Sequence, residues 1–351
     1  MSVIHVRTPL DLVVVLPYQL GYRLNDCLVL VGLRRRHLGL VQRVDLPTGP
    51  AQDRVVAARM LDHVRRDGCT AAVVIVYESQ VGTGAQAGGL LADSLRSAGL
   101  EVSELMVVRD GRVYFPERPD RVERELGIAL PSDDAVPAVA DFVAFGRRPS
   151  ADRGALAARV SLEPGPLADR VAHAVARLDP FDGGNTLQRR AIDDWGRLLD
   201  PATPAAAAPA SAASAARLAV SLTDRHLRDL LCAWLCPGTL DVDAFDPQLV
   251  ERARARWPQP DVATALGPGW APATSGLLVE RLCWLARQLP DGHAAGVLAV
   301  LASLTWWLGD GALTRVALDR ALAAAPDYRL ACLLEHLLDL AIRPGQSGRS
   351  A

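Results

Sequence analysis

The chain has 351 residues, enough for two domains of ordinary size. Its 38 basic residues are balanced by 40 acidic ones, so no global field draws in nucleic acid or an anionic membrane. Half of the residues are apolar, yet no stretch reaches the roughly 18 uninterrupted apolar residues of a membrane span, and the first residues lack the basic-then-apolar pattern of a secretory leader.

Lys is absent and Arg takes its place, a usage that points to genome composition. The six Cys (27, 69, 232, 236, 283 and 332) form no CxxC, and most sit in or beside apolar runs where a thiol acts as a small hydrophobe. A cytoplasmic, reducing setting is therefore expected. No cofactor is implied.

In chain order, a short helix from Thr8 leads to an elbow at Tyr18 and Gly21. Runs 27–33 and 38–46 read as an antiparallel pair whose charged tip is Arg34-Arg35-Arg36-His37. Thr48-Gly49-Pro50 opens a helix in which Val56, Met60 and Val64 share a face, with Gly68 placed to end it. TAAVVIVY, 70–77, is apolar almost without alternation, the mark of a central strand covered on both faces. A Gly-rich loop at 82–89 precedes a helix that stops at Gly99. Strands 102–109 and 112–115 then flank Asp110-Gly111, a type I′ hairpin signal.

The expected fold is an α/β N-terminal domain, a mixed sheet with flanking helices over 1–125, followed by an all-α C-terminal domain. The strand signal stops after Pro116. Residues 126–200 read as a helical extension, with segments around 136–145, 166–178 and 186–199 broken by turns such as Pro180 to Gly184. Residues 201–216, rich in Ala, Pro and Ser, read as a linker. Residues 217–343 read as wholly helical, and 344–351 as a disordered tail. Within the helical domain, 295–328 resembles one tetratricopeptide unit: Ala302 fills its first small position, Gly309 and Asp310 the turn, Leu318 and Ala321 the second helix and Pro326 the close, while Thr314 departs from the usual Ala. A single copy must pack on neighbouring helices to bury its faces.

The candidate binding residues are Tyr18, Tyr22, Asp26, Arg43, Asp45 and Glu78, which lie around the elbow and at strand ends where a crevice would form. Charges and phenols there would grip a small polar ligand; alternatively they make a structural corner, with Arg43 paired to Asp26 or Asp45 and Gly21 supplying a positive φ. Asp26, Asp45 and Glu78 would also serve acid–base or divalent-metal chemistry, if they converge. No catalytic residue and no metal ligand is assigned. Gly82, Gly84 and Gly88 follow a buried strand, where amides cradle phosphates, but the GxGxxxG spacing differs from the dinucleotide fingerprint and a surface loop is the plainer reading. His226 and Cys232, six residues apart, fall on different helix faces. Cys232 and Cys236 lack companion metal donors. Trp306 and Trp307 point about 100° apart, so at least one belongs to a helix interface.

PYQLGYRLNDCLVLVGL followed by QRVDLP resembles the opening of a large actinobacterial family catalogued as a domain of unknown function. VVIVYE at 73–78, LLADSLRSAGLEV with VVRDGR at 90–112, and WWLGDGALTRVALDRALAAAPDYRLACLL at 306–334 extend the resemblance over nearly the whole chain. Family members commonly carry Ser at the position of Cys27 and an aromatic pair where this chain has Val113-Tyr114. The resemblance implies no activity. Three functions stand as expectations: a non-catalytic ligand-binding or protein-interaction protein, a hydrolase or transferase using the carboxylates at the sheet edge, or a nucleotide-binding regulator acting through the Gly-rich loop.

Overall fold

The computed structural model describes residues 6–34, 37–144, 148–178, 185–203, 211–264 and 267–342. The chain divides into two compact units, 4–142 and 143–351 together with 1–3. The division falls after Phe142, not at 125, because residues beyond the last long strand still bury themselves on the first unit. Arg35, Arg36, the Pro180–Gly184 turn and the expected 344–351 tail lie outside the described residues.

The first unit runs α1 (Pro9–Leu20), β1 (Cys27–Arg34), β2 (His37–Asp45), α2 (Pro50–Arg66), β3 (Ala71–Tyr77), α3 (Ala85–Ser97), β4 (Glu101–Arg109), β5 (Arg112–Tyr114), a π-turn at Val122–Leu126, β6 (Ile128–Ala129) and α4 (Pro137–Ala144). The six strands form one sheet in the order β2-β1-β3-β4-β5-β6. β3 and β4 are parallel, joined over one face by α3; every other neighbouring pair is antiparallel. Thr8 caps α1 through Asp11 N at 3.1 Å, and Gly21, at φ 80°, ends it. Asp110 and Gly111 both have positive φ, 51° and 70°, as a type I′ turn requires. β6 was not legible in the sequence, since two residues carry no periodicity.

β3 is the middle of the unit, and its side chains alternate between two cores. Val74 and Val76 pack with Leu28, Leu30, Met60, Val64, Leu91 and Leu95 under α2 and α3. Val73, Ile75 and Tyr77 pack with Leu12, Leu16, Cys27, Val29, Met106 and Phe115 under α1. Burying each such Val or Ile contributes about 1.5–3 kcal/mol, which is why the run shows no polar alternation. The outer side of α1, through Val14, Val15 and Tyr18, is covered by Val136, Val139 and Phe142 around α4.

The second unit holds α5 (Arg153–Ala158), α6 (Pro166–Val175), α7 (Asn185–Leu199), α8 (Ala212–Ser221), α9 (Arg225–Leu235), a 3-10 turn at Val242–Ala244, α10 (Pro247–Arg256), β7 (Val262–Thr264), β8 (Gly267–Gly269), α11 (Pro272–Arg287), α12 (Asp291–Trp307), α13 (Gly311–Ala324) and α14 (Arg329–Asp339). α12 is buried almost all round, from Ala294 to Thr305, and is the core helix against which α8, α9, α11, α13 and α14 pack. Two expectations change. The rear segment is not wholly helical, since β7 and β8 form a small hairpin. The end of the expected linker is helix: Ser211 caps α8, and Ser214, Ala215 and Ala216 are buried in its first turns, while 204–210 lie outside the described residues. Small residues pack a helix closely as readily as they make a tether.

The Gly-rich stretch shows packing deciding glycine. The expected loop ends at Gly84, and Gly88 lies inside α3. A Cβ on Gly84 would stand 2.2 Å from Val76 Cγ1 and one on Gly88 2.6 Å from Val76 Cγ2, whereas one on Gly89 meets nothing within 4 Å. Gly84→Ala and Gly88→Ala should each therefore lower stability by about 1–3 kcal/mol, and Gly89→Ala should be neutral or stabilising by up to about 1 kcal/mol. Urea unfolding of the three variants checks this, the expected order being Gly89→Ala above both others.

Candidate functional site at the carboxyl rim of the sheet

β2, β3 and β4 run in the same direction, antiparallel to β1, so their carboxyl ends meet the start of β1 along one rim. The last paired row is Asp45–Cys27–Tyr77–Val108. Open α/β sheets bind ligands at such rims. Alternation assigns the faces: Cys27, Tyr77 and Val108 belong to the α1 core, so Asp45 and Arg43 lie on that face, while Glu78 and Arg109 follow Val76 and Val107 toward α2 and α3.

Glu78 is the most buried polar group of the rim, its side chain 2 % exposed. Oε1 accepts from Arg109 Nη1 at 2.6 Å and from Gly82 N at 3.0 Å, and Oε2 accepts from Gly84 N at 3.1 Å. Arg109 in turn lies over the Tyr114 ring, 4.5 Å from its centroid. The amides of the Gly-rich loop thus hold an anion already, the protein's own carboxylate, in the place where a phosphate would sit.

Asp26 fixes the same loop from its other end. It takes a positive φ of 42°, which Asp tolerates better than most residues. Its carboxylate accepts from Ser79 N at 2.8 Å and from Ser79 Oγ at 2.8 and 2.9 Å. Segment 79–84 is tied down at both ends by the two carboxylates.

Arg43 pairs with Asp45 at 2.5 Å and lies 5.8 Å from the Tyr22 ring centroid, with Tyr22 buried beneath it. Asp45 itself is 70 % exposed. Cys27, in the same corner, has its thiol pushed up to about 11 by burial, with the nearby Arg43 pulling the other way. Tyr18 turns elsewhere: its hydroxyl donates to Asp133 Oδ2 at 2.6 Å, and Arg23 Nη2 reaches the same oxygen at 2.5 Å. The Arg23 hydrogen bond holds the Asp133 carboxyl below the usual range, and burial, then the Asp133 contact, raises the Tyr18 phenol.

By their hydrogen bonds and ion pairs the six candidate residues fall into three groups. Tyr22, Arg43 and Asp45 are together; Asp26 and Glu78 share a loop; Tyr18 belongs to a triad with Arg23 and Asp133. The carboxylates do not form one cluster, because Asp45 and Glu78 extend from opposite faces of the sheet. Among the described residues, no three His, Cys, Asp or Glu side chains are grouped to hold a metal ion. Sequence reading missed Arg109 as the partner of Glu78, although parallel pairing of β3 and β4 predicts that their exits meet. It also missed Ser79, Arg23 and Asp133; the last two stand 110 residues apart and leave no local signal.

A family model matches residues 9–345. The chain belongs to the DUF4192 family, described as a domain of unknown function. No curated protein and no solved structure matches it. The family match thus covers both units and assigns no chemistry to the rim, so the reading of the DUF4192 rim rests on its geometry.

Two predictions follow from that geometry. Arg109→Met leaves the Glu78 carboxylate buried without its counter-charge and should cost about 3–5 kcal/mol in urea unfolding at neutral pH, far more than Arg43→Met beside the exposed Asp45. The Asp133 carboxyl, held low in the folded state, contributes stability above the unfolded value of about 3.9 and loses it as pH falls through its folded pKa. Asp133→Asn should remove that component, about 0.5–1 kcal/mol for a half-exposed pair, so that wild type and variant converge in stability once pH lies below the folded pKa of Asp133.

Proposed function

We propose that the protein is a non-catalytic ligand-binding or protein-interaction protein of the cytoplasm. The observation that carries the reading is that the rim's buried carboxylate is spent on the fold: both Glu78 oxygens are filled by Arg109, Gly82 and Gly84, while the exposed Asp26 grips Ser79. A general acid or base needs a free oxygen facing substrate, and a nucleophilic thiol needs to ionise near neutral pH; Cys27, at about 11, stays protonated. The alternative, a hydrolase or transferase working through Asp26, Asp45 and Glu78, requires carboxylates that the strand register sends to different faces. No nucleic acid or membrane partner is part of this reading; no helix among the described residues is long and apolar enough to cross a membrane.

Support for the reducing compartment comes from five buried, unbridged thiols. The opening motif supports an actinobacterial source. We read α12 and α13 as a tetratricopeptide-like hairpin: Asp310 caps α13 through Leu313 N at 3.0 Å, and the departing Thr314 hydrogen-bonds Thr305 across the pair at 2.9 Å. With α12 enclosed by its neighbours, the hairpin acts as core rather than as a peptide groove.

Thermal-shift measurements against a panel of divalent metals, nucleotides and sugar phosphates, run beside turnover assays on generic ester and phosphoester substrates, test the proposal. The expected result is stabilisation by a ligand, or none, without turnover. Turnover that Glu78→Gln or Asp26→Asn abolishes while the variant remains folded contradicts it and favours the enzyme.

A further inference from the structure

The helical unit carries a polar cleft along α7 that the sheet rim does not explain. Arg190, Asp194 and Arg197 stand at i, i+4 and i+7 of α7 and share one face, and Arg217 reaches them from α8. Asp194 is buried, its side chain 1 % exposed. One of its oxygens accepts from Arg197 Nη1 at 2.9 Å, and the other from Arg217 Nε at 2.8 Å and Nη2 at 2.7 Å. The neighbouring Asp193 is matched by Arg256 at 2.9 Å. Arg190 is exposed and has no ion-pair partner among the described residues.

These side chains line a cleft of about 280 Å³, made by Arg190, Asp193, Asp194, Arg197 and Arg217. It adjoins a second of about 520 Å³, with which it shares Asp193 and Arg197 and whose far wall includes Trp257 and Pro258. The second cleft exists because α10 comes close to α7 at Gly196, where a Cβ would stand 2.6 Å from the Arg256 carbonyl oxygen.

The charge balance is decisive. With Asp193 and Arg256 cancelling, three guanidiniums face one carboxylate in the smaller cleft, an excess of two positive charges there, while Asp200 lines the adjoining cleft. Asp194 fixes two of those guanidiniums in advance, so a ligand does not bear the cost of ordering them. It occupies only part of their donor forks, and planar forks suit a tetrahedral oxyanion. A phosphate monoester carries about −1.5 to −2 at neutral pH and matches the excess, whereas a single carboxylate leaves one charge unmet.

We propose that this cleft binds a small phosphate-bearing ligand, its phosphate held by Arg190, Arg197 and Arg217 and its organic part lying toward Pro258 and Trp257. The site stands whether or not the protein turns a substrate over. Isothermal titration of the full chain with inorganic phosphate and with ribose 5-phosphate, in chloride buffer of matched ionic strength, tests it. Saturable one-to-one binding of both is expected, with ribose 5-phosphate at least as tight. Arg190→Glu, which removes no structural contact, should weaken binding at least tenfold with the melting temperature unchanged; Arg197→Gln, which leaves Asp194 paired with Arg217, should weaken binding as much while lowering the melting temperature. Absence of saturable heat with either ligand, binding by Arg190→Glu equal to wild type, or an equal effect from added sodium chloride would overturn the proposal.

Discussion

The carboxylate of Glu78 organises the end of the sheet. An ionised side chain that is 2 % exposed is tolerated only when counter-charge and hydrogen bonds replace its water, and here Arg109 supplies the first and the amides of Gly82 and Gly84 the second. Each partner needs the others in place. Arg109 reaches Glu78 because β3 and β4 are parallel neighbours leaving by the same rim, and the amides point inward because Gly84 lets α3 start directly against Val76. The ion pair, the loop and the seating of α3 are thus one cooperative arrangement.

That arrangement constrains function by occupancy. A strand, a glycine loop and a helix are the parts from which phosphate cradles are built, yet in this chain the carboxylate one residue past the strand fills the cradle. Asp26 completes the closure by gripping Ser79. The rim becomes a stable edge of the fold, and ligand chemistry moves to where guanidiniums outnumber carboxylates. In the helical unit, Asp194 is as buried as Glu78, but it faces two arginines with a third, Arg190, beside them, so the local surplus has the opposite sign.

The sequence was most informative where one side-chain period or one backbone constraint fixes the outcome. TAAVVIVY reads as a central strand because both of its faces are covered; Asp110-Gly111 reads as a hairpin because few pairs adopt two positive φ values; Gly21 and Gly68 mark helix ends for the same reason. β6 and the β7–β8 hairpin were too short to carry a period. The Ala, Pro and Ser run looked like a tether because composition cannot tell a flexible small residue from one packed at a helix crossing, as Ala215 and Ala216 are. The faces of the candidate residues were hidden for a related reason: strand ends could be placed on one rim, but the face each side chain takes depends on register, which puts Asp45 and Glu78 on opposite sides. The partners that matter most, Arg109 for Glu78 and Asp133 for Tyr18, are set by tertiary pairing across 31 and 115 residues.

The helical unit solves its own burial problem with carbonyl-directed cations. Arg281 is buried and donates to the Leu198, Asp200 and Thr203 carbonyls at the end of α7, where helix-terminal oxygens stand in for a carboxylate. Arg320, partly buried, donates to the Ala286 and Leu289 carbonyls at the end of α11 beside its ion pair with Asp291 at 2.9 Å.

The account stands or falls on whether Glu78 holds the loop amides, and residue-resolved hydrogen exchange measures that directly. The amides of Gly82 and Gly84 should be protected in the wild-type protein and should exchange at least tenfold faster in Glu78→Ala, while amides in the middle of β3 keep their protection. Rapid exchange of Gly82 and Gly84 in the wild type, or protection that survives removal of the carboxylate, would contradict it.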